Sequence, residues 1–91
     1  MVKVAYVISG NYNGSQFRAF TYHFEGNAIE NSGPGGVFSI VMIQCPDAPK
    51  VQLSEQMFYE NGMLCEYLRE NLNVETIHDR IDKLKYIAKG V

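Results

Sequence analysis

The most constraining feature of this chain is a stretch from Val2 to Gln44 whose apolar side chains fall on both parities of strand-like segments. Side chains alternate across a strand, so a sheet with one wet face should alternate apolar with polar. Here Val2, Val4, Tyr6 and Ile8 share one parity, and Ala5, Val7 and Ser9 take the other. Phe20, Tyr22 and Phe24 oppose Phe17, Ala19, Thr21 and His23, while Phe38, Ile40 and Met42 oppose Val37, Val41 and Ile43. Residues 1–46 carry only four charges, Lys3, Arg18, Glu25 and Glu30. The other fourteen, and the whole net charge of −2, lie in residues 47–91.

Turn chemistry divides the first half. Asn13-Gly14 is the strongest short hairpin signal, because a type I′ turn needs positive φ at both central residues. It separates strands over Val2–Asn11 and Gln16–Glu25. Gly26-Asn27 marks a second turn and a short strand at Ala28–Glu30, before the loop Ser32-Gly33-Pro34-Gly35-Gly36. Val37–Gln44 is a third strand, closed by Pro46, which cannot donate to a ladder. The spacing of Met57, Leu64, Leu68 and Leu72 predicts a helix over about 54–71 with Ser54 as N-cap, interrupted at Gly62. Val74, Ile77, Ile81, Leu84 and Ala88 predict a second helix over about 74–89, with Asn73 as N-cap and Gly90 beyond its end. The expected fold is α+β: an antiparallel three- to four-stranded meander over about residues 2–45, then two helices packed on it, all in one domain of 91 residues.

Two helices adjacent in sequence readily cover one face of such a sheet. The other face would then expose Phe, Tyr, Val and Ile in one patch, which monomers rarely tolerate outside a binding surface. A domain this small also buries too little of its surface to be comfortable alone. Either the two helices split across both faces, or, as patch size and small domain size favour, a second copy, most simply in a dimer, or another partner covers the open one. Arg18 is the lone basic residue between Lys3 and Lys50 and shares its parity with Phe20, Tyr22 and Phe24. Guanidinium forms forked hydrogen bonds and stacks on rings, which suits an anion, a planar ligand or a partner carboxylate. The expected binding residues are Arg18, Phe20, Tyr22, Phe24, Tyr6 and Tyr12.

Catalytic signals are thin. Cys45 and His23 are a possible nucleophile and base, with Tyr22, at an oligomer interface; the simpler reading is a packed thiol and a half-exposed imidazole. Residues 32–36 lack the Lys-Ser/Thr ending of a phosphate-binding loop. Glu66 and Glu70 are expected on one helix face, Glu75 and Asp79 on another, all solvated. No metal site and no cofactor is expected. The acidic balance argues against nucleic acid, and no apolar run is long enough for a membrane span. The expected function is a non-enzymatic binding or inhibitor protein, acting in the cytoplasm on a partner protein or small ligand. Its size and acidity suit a phage or mobile-element inhibitor of a host system, working in the host cytoplasm. The alternatives are the interface enzyme and a structural subunit of a larger assembly.

Overall fold

A computed structural model describes residues 2–24 and 36–89, with only the backbone of residues 2–6 and Phe24. The short strand expected at Ala28–Glu30 and the Gly90 cap lie outside the described residues. Five strands are followed by one helix: β1 (Val2–Tyr12), β2 (Ser15–Phe24), β3 (Gly36–Gln44), β4 (Met57–Glu60), β5 (Met63–Leu68) and α1 (Val74–Ala88). The sheet is antiparallel throughout, in the order β1-β2-β3-β5-β4, so β3 is its central strand. Among the described residues no helix is long and apolar enough to cross a membrane.

The antiparallel α+β architecture and the last helix match the expectation, but the helix over 54–71 does not form. That segment is the β4–β5 hairpin. Asn61 and Gly62 have φ of 52° and 75°, nearly repeating Asn13 and Gly14 at 50° and 82°. Positive φ at consecutive residues ends a right-handed helix and makes the two-residue turn that matches strand twist. Gly62 is therefore a hairpin residue, not a helix kink. The expected N-cap Ser54 instead accepts the Met57 N–H through its carbonyl, at 3.0 Å. The apolar spacing misled because Leu64 and Leu68, four apart, share a face in a helix and in a strand alike.

The core lies between the sheet and α1. Phe17, Ala19, Val41, Ile43, Met57 and Leu64 meet Ile77, Ile81 and Leu84. Asn73 caps α1 as expected, its side-chain oxygen accepting the Thr76 N–H at 2.8 Å. Two hydroxyls enter this core. Thr21 and Ser39 share a hydrogen bond of 3.0 Å, and Ser39 donates to the Glu70 carbonyl at 2.6 Å. Both are thereby spared the cost of an unmade bond.

Glu66 corrects the expectation of a solvated acidic face. It sits on β5, opposite Val41 and Met57, and is 3% exposed. Its Oε2 accepts from Lys83 Nζ at 3.2 Å and lies 3.6 Å from Arg80 Nη1, tying β5 to α1. Among the described residues its Oε1 is buried without a partner. Lys83 of α1 is spent on this contact.

Candidate functional site

Among the described residues the one helix, α1, covers one face of the sheet. The β1–β2 register pairs Ile8 with Ala19 and Tyr12 with Ser15, and β2–β3 pairs Ala19 with Val41. That row faces α1. The opposite face carries Val7 and Ser9 from β1, Arg18, Phe20 and Tyr22 from β2, and Phe38, Ile40 and Met42 from β3. Cys65 and Tyr67 from β5 and Phe58 from β4 complete it. Among the described residues no element lies over it.

Five rings form a continuous row across this face. Phe20 and Tyr22 lie 6.1 Å apart, Tyr22 and Phe38 4.8 Å, Phe38 and Tyr67 6.5 Å, and Tyr67 and Phe58 5.0 Å. The Tyr22 and Phe38 planes differ by only 14°. Their separation equals the distance between neighbouring strands, so the rings turn their faces to each other and their edges outward. Val7 and Tyr67 are 51% and 44% exposed, the other aromatics of the row are half-buried, and Cys65 is buried among them. Arg18 stands at one side of this row, exposed, and makes no hydrogen bond or ion pair among the described residues. It borders a shallow groove of about 630 Å³, lined also by Ser9, Asn11, Gln16, Gln44, Met42 and Met63.

The expected binding residues divide between the faces. Arg18, Phe20 and Tyr22 come together on the open face. Phe24 continues their strand, in register with Val2 and Gly36. Tyr6 does not share a row with Val4, because a register shift between them puts Val4 opposite Tyr22 and Tyr6 opposite Thr21. Such a bulge flips the parity of everything beyond it. Tyr12 therefore belongs to the helix side. Its ring stacks on His78 at 3.9 Å and 8°, and its hydroxyl donates to Asp82 Oδ2 at 3.3 Å. Loss of hydration, and then the Asp82 carboxylate, push its phenol above the ordinary range. Lys85 donates to the Asn13 carbonyl at 2.6 Å, so this cluster pins the first hairpin to α1.

Phe58 and Tyr67 went unnoticed in the sequence because the segment read as helix. The signal was present: Asn61-Gly62 stands between two short apolar and aromatic runs, Met57–Glu60 and Met63–Leu68, as Asn13-Gly14 stands between β1 and β2.

The nucleophile candidates stay apart. His23 is opposite Val37 and bonds Asn71 at 3.3 Å, whereas Cys45 follows the other end of β3 and donates to the Asp47 carbonyl at 3.0 Å. Eight residues of strand separate their levels, about 26 Å. Burial, then Asp47, raises the Cys45 thiol. Cys65 lies between Met42 and Phe58 on the open face, and burial, then Glu60, pushes it up to about 11. A catalytic thiol needs the opposite shift. Among the described residues no group of three or more His, Cys, Asp or Glu could hold a metal ion.

Compared with protein-family models, with curated proteins and with solved structures, the chain matches none.

Proposed function

We propose that this chain is a non-enzymatic binding protein that self-associates and acts by occupying a partner macromolecule or sequestering a small ligand, using the open face of its sheet. The observation that carries this reading is the five-ring row on the face that α1 leaves uncovered. A contiguous apolar surface of this kind costs solubility and is retained in small domains where something docks on it. Arg18 adds the polar anchor such surfaces favour, since Arg and aromatic residues dominate interface energetics. The separation of Cys45 from His23 and the raised thiols weigh against the interface enzyme. An inhibitor role in a host cytoplasm is the form of this activity that suits a compact acidic chain, by analogy of size alone.

Native mass spectrometry of protein purified from its source tests the reading, because it reports oligomeric state and co-purifying molecules together. Binding of an apolar fluorescent dye is measured alongside it. The expected result is a self-associated or partner-bound species, and dye binding that falls on Tyr67→Asp. A strict monomer whose dye binding ignores that substitution would sink the proposal.

A further inference from the structure

Given binding through the open face, we infer that its occupant in the free protein is a second copy of the chain, packed face to face about a two-fold axis running along β3. Area makes this feasible. Strands of 11, 10, 9, 6 and 4 residues, at ~3.3 Å per residue and ~4.8 Å between strands, span about 600 Å². Side-chain relief brings the accessible area toward the ~800 Å² per partner of a standard interface.

Ring geometry narrows the occupant. Because Tyr22 and Phe38 cover each other's faces, this central pair offers ring edges, with Ile40 beside it between Phe20 and Tyr67. A flat ring or a nucleic-acid base needs exposed ring faces to stack on. A corrugated row of edges instead interdigitates with a second pleated sheet, at the ~10 Å spacing of sandwiches.

Charge then selects the axis. Arg18 is on β2 and Glu60 on β4, on opposite sides of the central strand. Both are exposed, and alternation puts both on the open face. A two-fold along β3 exchanges the two sides, bringing each Arg18 over the partner copy's β5–β4 side. The offset to the other Glu60 is then one strand and one residue pair, within reach of both side chains across ~10 Å. A two-fold across the strands instead keeps each Arg18 over the partner copy's β2 side, away from both Glu60 carboxylates, and forgoes that complementarity. The dimer is thus a four-layer α/β/β/α sandwich with two reciprocal Arg18–Glu60 pairs, and any other occupant of the face competes with the second copy.

Sedimentation equilibrium across the micromolar range tests this with Arg18→Glu, Glu60→Arg and the double reversal, each checked for the native circular dichroism spectrum. The expected result is a monomer–dimer equilibrium that each single reversal weakens about tenfold, with recovery in the double variant. Phe20→Asp should abolish it. A dimer that ignores Phe20→Asp points to edge pairing and overturns the inference. So does one that Phe20→Asp breaks but the double reversal fails to rescue. A monomer at all concentrations overturns it too. If that monomer still binds apolar dye dependent on Phe20 or Tyr67, only the second copy is refuted; if it does not, the binding face falls with it.

Discussion

Replacing Glu66 with Met should stabilise this protein. Glu66 is 3% exposed, and its Oε1 has no partner among the described residues. An unmade hydrogen bond on a buried polar group costs roughly 1–3 kcal/mol. Against this stands the pairing of Oε2 with Lys83 and Arg80, at 3.2 and 3.6 Å. Their side chains are 47% and 33% exposed, so water screens the attraction and rehydrates them when the carboxylate is gone. Pairs so exposed are worth about 0–1 kcal/mol. Met has nearly the same volume and adds apolar contact with Val41 and Met57, the residues opposite position 66. The relieved oxygen therefore outweighs the lost pair, and the net gain is about 1–2 kcal/mol. In a domain of this size that raises Tm by roughly 5–10 °C. Urea unfolding followed by circular dichroism, at one fixed protein concentration, measures it. The reverse cut is asymmetric: Lys83→Met leaves a buried carboxylate with only Arg80 and should destabilise. If Glu66→Met lost 1 kcal/mol or more (taken as an order of magnitude), the ion cluster would be a net stabiliser and the weighting above wrong.

Two further outcomes are expected. Gly62→Ala should cost about 1 kcal/mol in urea unfolding, because Gly62 sits at φ +75° with nothing within 4 Å of the added carbon, so the penalty is backbone strain alone; no loss would refute the type I′ assignment. The Cys65 thiol, raised to about 11 by burial, contributes stability that is complete below its ordinary range and is lost as pH rises toward 11. Stability between pH 8 and 11 should therefore fall more steeply in the native chain than in Cys65→Ala, and parallel curves would refute the shift.

The last helix was legible in the sequence because its signals agree: an Asn cap, a stripe at Ile77, Ile81 and Leu84, and lysines toward its end. So were the first three strands, where the hairpin turn and β-branched or aromatic residues point the same way. The β4–β5 hairpin was not, since spacings of four residues serve a helix and a strand equally and only the Asn61-Gly62 pair discriminates. Of the candidate site, Arg18, Phe20 and Tyr22 were correctly grouped by parity within β2. Tyr12 was placed with them although it stacks on His78, because its side is set by the two-residue turn, which pairs it with Ser15 on the opposite parity from Arg18.

The sequence by itself determined that the first three strands are apolar on both sides, because alternation is a local property of an extended chain. It also determined where the first turn must be, since positive φ at consecutive residues such as Asn13 and Gly14 is open to so few residue types. Only the tertiary structure decided which side is covered. One helix is available rather than two, and the register of β1 and β5 against β2 and β3 sets which aromatics share its face. That choice is made by cross-strand pairing and by the burial of Ile77, Ile81 and Leu84, energies that belong to no single segment.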